Sequence, residues 1–423
     1  MRPPLRVAVV ARSVFPLHGY GGLERHVFDL VRHLERAHVQ VTLITRPRSS
    51  RQIHMAAPFG SSVQVMTVPY RTFPFAGRKG TTILDRSTAY PLFGERAGRL
   101  AAELVNQGKV DIVHGLGASV LGYARRRKNA AAPLVMNPQG LEEFGATDPG
   151  RARAKRVAYL PLRRAVIACA KAADRVIATD RVLEPAVLQH LHVPKEKVRM
   201  IPNAIDLEEI DRCARPGDAR RVRDAAGLGE RDTVLLSVGR LEANKGFDVL
   251  LDALGALQAH GAPLTGKWKW VLVGDGPRRR ALEQQIARMR LQDRVLMPGR
   301  LADPDLHAWY EAATLFVHPT LYEGSSLVTL EAMSHRRAIV ASNAGGLADK
   351  VKPGINGWLV APGQPAELAA AISGALARPE QLARFGDASR AIVEREFAWP
   401  AVTQKLLAVY EELLGARLYS GPP

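Results

Sequence analysis

Residues 315–333 read LFVHPTLYEGSSLVTLEAM, a short apolar run followed by a proline, a polar loop and a stretch of helical pattern. The run at 315–317 does not alternate with polar residues, which is typical of a strand covered on both faces in a parallel sheet. Pro319 ends this strand, and Ser326 can accept a hydrogen bond from a free N–H group in the first turn of a helix. The segment therefore predicts a strand, a loop and a helix, which is half of a βαβ unit.

The same alternation recurs from end to end of the chain. Runs that predict a first series of strands lie at 6–10, 40–45, 63–69, 110–114, 134–137, 175–178 and 198–201. After about residue 205 the alternation restarts, with runs at 233–238, 270–273, 294–297, 315–317, 338–341 and 357–360. Two such series predict an α/β protein with two doubly wound domains. Segment 202–229, rich in charge, predicts the connection between them, and 399–414 predicts a packed helix with one apolar face.

Composition excludes several classes of protein. The chain has 423 residues, of which 47% are hydrophobic and 24% charged, so it is neither disordered nor fibrous. Cys169 and Cys213 are too few for a disulfide framework or a four-cysteine zinc site. The N-terminus lacks the apolar run of a signal peptide, and no stretch approaches the roughly 18 apolar residues of a spanning helix. We therefore expect a cytoplasmic protein.

The charge is distributed unevenly. Lys and Arg number 59 against 41 Asp and Glu, which gives a formal net charge of +18. Residues 1–205 carry 32 basic and 14 acidic residues, whereas the remainder carries 27 of each. A coding bias toward arginine would charge both halves, so the excess belongs to the first domain. Its basic clusters at 125–128, 151–156 and 163–164 predict peripheral attachment to the anionic inner face of the plasma membrane, or an anionic or lipid-linked acceptor.

A basic loop follows the predicted strand 233–238. It places Arg240 and Lys245 five residues apart at the carboxyl end of a strand, where ligands bind in open α/β sheets. A guanidinium fork and a point charge at this place suit a diphosphate. A solvated basic loop is the alternative interpretation. The next strand ends in the sequence GDGP at 274–277, which predicts a tight turn into a helix.

Two carboxylates lie in the loop and helix that follow the strand 315–317. Glu323 stands before the helix, and Glu331 stands within its early turns. A carboxylate near the carboxyl edge of a sheet can accept hydrogen bonds from two ribose hydroxyls, and the other can hold hydroxyls of a donor sugar. The backbone N–H groups of Ser325 and Ser326 would face an anion. The alternative is that these acidic residues are ordinary partners of the helix dipole.

A glycine pair precedes the first predicted helix, residues 23–34. Gly21 and Gly22 would let the backbone approach a phosphate or a sugar closely. The pair is not the G-x-G-x-x-G fingerprint of dinucleotide-binding domains. A flexible turn without a ligand explains the pair equally well.

Taken in order, these motifs resemble those of the retaining glycosyltransferases of family 4. The resemblance rests on Gly21-Gly22, Arg240, Lys245, the GDGP turn, the Glu-x7-Glu pair Glu323 and Glu331, and Gly345-Gly346. It implies the GT-B fold, in which two doubly wound Rossmann-like domains face each other across a cleft. Residues 1–205 would form the acceptor-side domain, 206–395 the nucleotide-sugar domain, and 396–423 a helix that crosses back to the first domain.

The resemblance also implies a role for each residue. As catalytic residues, Arg240 and Lys245 would neutralise the diphosphate while the glycosidic bond breaks, and Glu323 would hold the donor sugar. The donor would also contact Gly21, Gly22, Gly274, Ser325, Ser326, Leu327 and, through its ribose, Glu331. The expected hexosyltransferase moves a hexose from a nucleotide-diphosphate sugar to an acceptor hydroxyl with retained configuration. Its product would be a glycan, polysaccharide or glycolipid.

The resemblance implies no metal and no cofactor, because the nucleotide-diphosphate sugar is a co-substrate. Asp303-Pro304-Asp305 looks like a metal-binding Asp-x-Asp string, but it opens a predicted helix, where acidic residues cap the helix and complement its dipole. Several positions depart from the family pattern. Gln139 stands where a histidine is usual, Arg336 and Ala338 stand where glycine and proline are usual, and Ala204 stands where a glycine is usual. Gln139 can hydrogen-bond a hydroxyl but cannot act as an acid or a base.

Other functions stay open on the sequence alone. A nucleotide-sugar epimerase or a phosphorylase has a related fold, although no lysine here has a motif for a phosphorylase's pyridoxal cofactor. A glycoside hydrolase could use Glu323 and Glu331 as its two carboxylates but has no diphosphate to bind. Nucleic-acid binding would need aromatic residues among the basic ones, and aromatics are only 6% of the chain. His114 and His318, at strand ends, are predicted to be packed or hydrogen-bonded.

Overall fold

The computed structural model describes residues 4–19, 21–48, 59–71, 81–129, 131–139, 141–144, 157–260 and 267–419. Backbone contacts divide the chain into two units, Met1–Asn203 with Trp399–Pro423, and Ala204–Ala398. Each unit contains one parallel sheet with helices packed against it, so the predicted α/β class with two Rossmann-like sheets is confirmed. Within the ranges given above, no helix combines the length and the apolar character needed to cross a membrane.

The first sheet has seven parallel strands in the order β3-β2-β1-β4-β5-β6-β7. They are β1 Arg6–Val10, β2 Gln40–Thr45, β3 Val63–Thr67, β4 Ile112–Leu116, β5 Leu134–Asn137, β6 Arg175–Ala178 and β7 Val198–Met200. The helices of this unit are α1 Gly22–Arg36, α2 Thr81–Asn106, α3 Leu121–Arg125, α4 Leu160–Ala172, α5 Leu183–Leu191 and the C-terminal helix Trp399–Tyr419. Val7 and Val9 on β1 are fully buried, as expected for a strand covered on both faces.

The second sheet has six parallel strands in the order β10-β9-β8-β11-β12-β13. They are β8 Thr233–Val238, β9 Trp268–Val273, β10 Val295–Gly299, β11 Leu315–His318, β12 Ile339–Ser342 and β13 Gly357–Val360. The helices are α6 Leu207–Cys213, α7 Asp218–Ala225, α8 Phe247–His260, α9 Arg279–Arg288, α10 Asp303–Ala312, α11 Leu327–Ser334, α12 Leu347–Lys350, α13 Pro365–Leu376 and α14 Pro379–Ile392. Their apolar faces cover both sides of the sheet in two core clusters.

The C-terminal helix packs within the first unit through the face that its sequence predicts. Val402 and Leu406 are buried, and the Tyr410 hydroxyl lies 2.6 Å from Nδ1 of His114 on β4. This contact confirms the prediction that His114 is hydrogen-bonded inside the fold.

Most of the predicted connection 202–229 is folded instead of linking two domains. It forms α6 and α7, whose buried residues Ile210 and Val222 belong to the core of the second unit. The boundary between the two units, at Asn203 and Ala204, does fall in this segment. The length of the connection was overestimated, because the charged outer face of a short amphipathic helix has the same composition as a linker.

The acidic string at 303–305 lies in the first turn of α10, so both carboxylates complement the helix dipole as predicted. The capping half of that prediction was wrong, because the N-cap residue is Ala302 and no side chain caps the helix. Asp305 instead pairs with Arg221 on α7 at 2.7 Å.

Strand order reverses between β1 and β4 in the first sheet and between β8 and β11 in the second. In open parallel sheets, the loops beyond such a reversal diverge at the carboxyl ends of the strands and leave a crevice for ligands. Residues 239–246 follow β8 and residues 319–326 follow β11. The topology of the second unit therefore places most of the predicted donor residues beside its own crevice.

Candidate active site

Two loops at the carboxyl edge of the second sheet hold each other in place. They are residues 239–246 after β8 and residues 319–326 after β11. The carbonyl oxygen of Asn244 accepts hydrogen bonds from Thr320 Oγ1 at 2.9 Å and from the N–H group of Leu321 at 2.8 Å. These bonds fix the basic loop against the acidic loop.

Lys245, Glu323 and His318 form a chain of contacts between the two loops. Glu323 Oε2 lies 2.6 Å from Lys245 Nζ and 3.0 Å from His318 Nε2. The side chains of Lys245 and Glu323 are 17% and 14% exposed, and that of His318 is fully buried. Because a carboxylate oxygen only accepts, Nε2 of His318 is the donor in its contact with Glu323. The structure thus brings two predicted site residues together with a histidine that was predicted only to be packed or hydrogen-bonded.

The charge of Glu323 is fixed by these partners. Burial alone would raise the pKa of Glu323, because a carboxylate is less stable away from water. The hydrogen bond from His318 and the positive charge of Lys245 outweigh burial and lower the pKa to about 2. Glu323 is therefore ionised at neutral pH and can only accept hydrogen bonds, which suits sugar hydroxyls as ligands.

Acid should weaken the fold partly through Glu323. The pKa of its carboxyl is about 2 in the folded protein against 4.5 without partners, so its pairing stabilises the fold above pH 4.5 and is lost as the pH falls toward 2. The difference in the free energy of unfolding between the wild type and Glu323→Gln should shrink by ~2 kcal/mol from pH 6 to pH 3 in urea titrations. Glu283→Gln, at an exposed carboxylate on α9, is the control. A pH-independent difference for Glu323→Gln would contradict the prediction.

Arg240 pairs with a different carboxylate from Lys245. Its Nη2 lies 2.9 Å from Glu242 Oε1, and its side chain is 75% exposed. Of the two cations predicted for a diphosphate, Lys245 is thus buried against an acidic partner, whereas Arg240 is open to solvent. An exposed ion pair of this kind contributes little to stability, so the guanidinium can change partner at small cost.

The turn at Gly274 supports the loop that carries Arg240. A Cβ atom on Gly274 would lie 1.9 Å from the carbonyl oxygen of Gly239, so only glycine fits at this close approach of two backbones. The N–H group of Leu241 also donates to the carbonyl oxygen of Asp275 at 3.1 Å. Gly274 therefore shapes the loop, whether or not it also touches a ligand.

The predicted helix start at Ser326 is confirmed. Ser326 is the N-cap of α11, its Oγ accepts from the N–H group of Thr329 at 3.3 Å, and Leu327 is the first helical residue. Ser325 Oγ lies 3.5 Å from Nζ of Lys350, a lysine that is only 1% exposed. A buried ammonium group thus stands beside a helix N-terminus whose first N–H groups have no partner within the helix.

Glu331 is held by a buried tyrosine. Its Oε2 accepts a hydrogen bond from the Tyr310 hydroxyl at 2.7 Å. Burial, and then the adjacent charge of Glu331, raise the pKa of Tyr310 well above its usual value, so the phenol stays protonated and donates. The Tyr310 ring stacks on His335 at 5.5 Å, and His335 Nδ1 lies 3.0 Å from Glu311. This packing fixes the orientation of the Glu331 carboxylate.

Gly21 and Gly22 lie in the first unit, whereas the other predicted site residues lie in the second. Gly21 is the N-cap of α1 with an extended backbone, and Gly22 is the first helical residue. Their contact with a donor therefore stays a prediction. Gln139, also in the first unit, has φ +62°, and its Nε2 is buried with no hydrogen bond to any described residue.

Tyr310 and Lys350 were not among the residues predicted from the sequence, and His318 was predicted without a role in the site. His318 is the last residue of β11, five residues before Glu323, and its place at the carboxyl end of a strand was an available signal. Tyr310 and Lys350 lie on α10 and α12, outside the recognised motifs. Their approach to the site depends on tertiary packing, which local sequence does not mark.

Two family models match most of the chain. The model described as Glycosyltransferase Family 4 matches residues 20–209, and the model described as Glycosyl transferases group 1 matches residues 218–392. The protein named D-inositol 3-phosphate glycosyltransferase 2, from Catenulispora acidiphila, is 29% identical over 424 residues, which cover 96% of this chain and 95% of that protein. Alpha-D-kanosaminyltransferase from Streptomyces kanamyceticus is 30% identical over 245 residues, or 57% and 61% of the two chains.

Solved structures share the fold over the whole length. Sucrose-phosphate synthase from Thermosynechococcus elongatus has a TM-score of 0.72 and 24% identity, covering 97% of this chain and 100% of that one. HepE from Anabaena, solved in complex with UDP, has a TM-score of 0.68 and 22% identity at the same coverage. At these identities the likeness establishes the fold.

Proposed function

The chain belongs to the family 4 glycosyltransferases and has their GT-B fold, and from this premise we propose that it moves a hexose from a nucleotide-diphosphate sugar to an acceptor hydroxyl with retained configuration. One observation carries the proposal, the 2.6 Å pairing of Lys245 with Glu323 on loops that follow adjacent strands. The pair offers a cation for a diphosphate beside a carboxylate for sugar hydroxyls. The bond that a glycosyltransferase breaks joins those same two parts of its donor.

Lys245 and Arg240 would both stabilise the leaving diphosphate, but they differ in their exposure to solvent. As the glycosidic bond breaks, negative charge grows on the leaving diphosphate, and nearby cations stabilise it most where water is excluded. Lys245, 17% exposed, is placed for the larger share, and Arg240, 75% exposed, for the outer phosphate oxygens. We propose metal-independent transfer on this basis, because the two side chains supply the positive charge that the leaving group needs.

Glu323 and Glu331 would hold the two sugars of the donor. Glu323 is ionised and accepts hydrogen bonds from hydroxyls of the transferred hexose. Glu331, with one oxygen held by Tyr310, would bind the nucleotide ribose. The acceptor hydroxyl would attack on the same face that the diphosphate leaves, and the departing phosphate would take its proton, which gives retention without a protein base.

Replacing Tyr310 by phenylalanine tests the ribose role. The change removes the hydrogen bond to Glu331 and leaves the ring stacked on His335. We expect KM for the donor to rise about 5–10-fold, which corresponds to the roughly 1 kcal/mol that a typical hydrogen bond contributes, while kcat changes less than two-fold. Initial rates over donor concentration provide the measurement. A fall of about 5–10-fold in kcat with KM unchanged would mean that Glu331 does not act through donor binding.

Thermal-shift screening with UDP, GDP, ADP and TDP sugars tests the proposal itself. A ligand at 100 times its Kd stabilises a protein by about 2.7 kcal/mol, so the cognate donor should raise Tm clearly. Acceptors in the turnover assay should include D-inositol 3-phosphate, because this compound appears in the name of the relative from Catenulispora acidiphila. Release of the nucleoside diphosphate only when an acceptor is present distinguishes transfer from hydrolysis. The proposal fails if no nucleotide sugar binds or turns over.

We propose further that the first unit attaches peripherally to an anionic membrane surface while making a glycan, polysaccharide or glycolipid. Val157 and Leu160 are 78% and 41% exposed, and the exposed Arg164 follows on α4. The cluster 125–128 is partly neutralised, because Arg125, Arg126 and Arg127 pair with carboxylates. The cluster 151–156 lies outside the described residues.

Binding to liposomes tests this attachment. Vesicles with 30 mol% phosphatidylglycerol should sediment the protein, and vesicles of phosphatidylcholine alone should not, because the attraction depends on anionic lipid. Val157→Glu should weaken the binding, since it places a negative charge on the exposed apolar surface. If the fraction of protein that sediments depended neither on lipid charge nor on salt, the attachment would be contradicted but the transferase activity would not.

A further inference from the structure

Two arginines stand side by side at the carboxyl edge of the first sheet. Val10 at the end of β1 is in register with Ile44 on β2, and Arg12 and Arg46 each follow two residues later. They therefore lie at neighbouring places beyond two adjacent parallel strands. This is the edge at which open α/β sheets bind ligands, and it belongs to the first unit alone.

Aromatic rings fix both guanidinium groups. Arg12 lies 4.9 Å from the centroid of the Tyr90 ring, and its Nη1 lies 3.4 Å from the Tyr70 hydroxyl. Arg46 lies 5.5 Å from the centroid of the Tyr70 ring, and its Nη2 donates to the carbonyl oxygen of His18 at 3.3 Å. Cation–π contacts orient a guanidinium without neutralising it. Both side chains are thus held in place with their positive charge intact.

Neither arginine has an acidic partner among the described residues. The nearby carboxylates are engaged elsewhere, because Glu24 accepts from Ser13 Oγ at 3.0 Å and Asp85 accepts from the Tyr70 hydroxyl at 2.7 Å. The stretches 49–58 and 72–80, which follow β2 and β3 along the chain, contain no Asp or Glu. Two cations are therefore gathered with no acidic group that pairs with either of them in the described part of the chain.

The Nε atoms show that the pair is incompletely satisfied. Nε of Arg12 and Nε of Arg46 are both buried and form no hydrogen bond within the described structure. Burial, and then the charge of Arg12, lower the pKa of Arg46, which shows the electrostatic cost of keeping two cations together. Buried donors are normally satisfied, so two such groups at one ligand-binding edge point to a missing acceptor of hydrogen bonds.

We propose that Arg12 and Arg46 bind a phosphate group carried by the acceptor. A phosphate monoester carries about two negative charges at neutral pH and three acceptor oxygens, which matches two guanidinium groups better than a carboxylate does. The proposal rests on the proposed transferase function and narrows it to phosphorylated acceptors. The phosphate holds the acceptor on the first unit while a hydroxyl elsewhere on the same molecule reacts.

Inorganic phosphate is the probe for this site. Titrations followed by ³¹P NMR line width use the Lys245→Ala background, which weakens the proposed donor site, so that binding reports on the arginine pair. Adding Arg12→Gln or Arg46→Gln should weaken phosphate binding at least ten-fold. Arg99→Gln, at an exposed arginine of α2, is the matched control and should change nothing. Arg12→Lys keeps the charge without the planar fork and should give an intermediate loss.

Further arms distinguish the source of the phosphate. Binding of glucose 6-phosphate that depends on Arg12 indicates a soluble phosphate ester. Arg12-dependent binding only to phosphatidic acid in phosphatidylcholine vesicles indicates a lipid phosphate, and either result supports the proposal. The proposal would be overturned if acetate bound as tightly as phosphate. It would also be overturned if Arg12→Gln and Arg46→Gln both kept the phosphate affinity and the Tm of their background.

The donor screen keeps the two proposals separate. Arg12→Gln and Arg46→Gln should bind the cognate nucleotide diphosphate within two-fold of the wild type, because the charged side chains proposed to hold the donor all lie in the second unit. If no nucleotide sugar binds even the wild type, the transferase proposal fails whatever the phosphate titration gives. If nucleotide sugars bind but the binding of inorganic phosphate does not depend on Arg12 and Arg46, only the acceptor proposal fails.

Discussion

Replacing Lys245 by alanine should lower kcat/KM for transfer about 10²–10³-fold, the usual loss when one preorganised donor at a developing charge is removed. Lys245 Nζ is held 2.6 Å from Glu323, in a site where both side chains are largely buried. Water that replaces the ammonium group must reorganise during the reaction, whereas Lys245 is already in place. Steady-state rates with the cognate donor and acceptor give the measurement, and kcat should fall more than KM rises.

Two further variants distinguish this role from a structural one. Lys245→Ala leaves Glu323 with His318 as its remaining partner, so part of any loss could come from a weakened fold. Lys245→Ala/Glu323→Gln removes the unpaired charge and should recover stability but not activity. Lys267→Ala, at an exposed lysine of the same unit, should change neither. Recovery of activity in the double variant would mean that neither the ammonium group nor the Glu323 carboxylate acts on the substrate, and that the loss in Lys245→Ala came from the unpaired charge alone.

Replacing Gly345 by alanine should reduce both stability and activity, although Gly345 lies outside the strands. Its backbone has φ +55°, and an added Cβ atom would lie 1.6 Å from the carbonyl oxygen of Glu323. The left-handed conformation costs alanine about 1 kcal/mol, and the overlap must be relieved by moving one of the two backbones. We expect the free energy of unfolding to fall by about 3 kcal/mol in total and kcat/KM by at least ten-fold.

Gly354→Ala is the matched control for this variant. Gly354 also has a left-handed backbone, at φ +78°, but nothing lies within 4 Å of the Cβ atom that alanine would add. Its loss should therefore be only the conformational cost of about 1 kcal/mol, with normal activity. Equal losses for the two variants in urea unfolding would mean that the contact with Glu323 has no effect.

Much of the fold was predictable because its strands are short, apolar and bounded by clear breaks. The strands Arg6–Val10, Gln40–Thr45 and Thr233–Val238 begin and end at the predicted residues. Other strand ends shifted by about two residues, as at β4, which spans Ile112–Leu116 instead of the predicted 110–114. This buried central strand tolerates His114 because the Tyr410 hydroxyl, on a helix far along the chain, forms a hydrogen bond with it.

The candidate site was predicted as a set of residues but not as a set of contacts. Lys245 and Glu323 are 78 residues apart, and their pairing depends on β8 lying next to β11. Nothing local in the sequence fixes that strand order. The same reason explains why Tyr310, which reaches Glu331 from a different helix, was missed.

Two of the departures from the family pattern concern backbone conformation. Arg336, which stands where glycine is usual, has φ +55° and pairs with Asp387 at 2.5 Å. Gln139, in the place of the usual histidine, also has a positive φ. A left-handed backbone at a residue with a side chain is uncommon, so the chain keeps these turns at some conformational cost.

The pairing of Lys245 with Glu323 also affects whether the protein binds the intact nucleotide sugar or the nucleoside diphosphate product more tightly. Any anion that approaches Lys245 must compete with an internal carboxylate only 2.6 Å away. An intact nucleotide sugar can satisfy both members of the pair at once, since it brings phosphate oxygens and hydroxyls together. The nucleoside diphosphate left after transfer would pair only with Lys245 and would leave Glu323 without its main cation. With the proposed role of Lys245 at the diphosphate, the resting ion pair would favour departure of the product and disfavour inhibition by it.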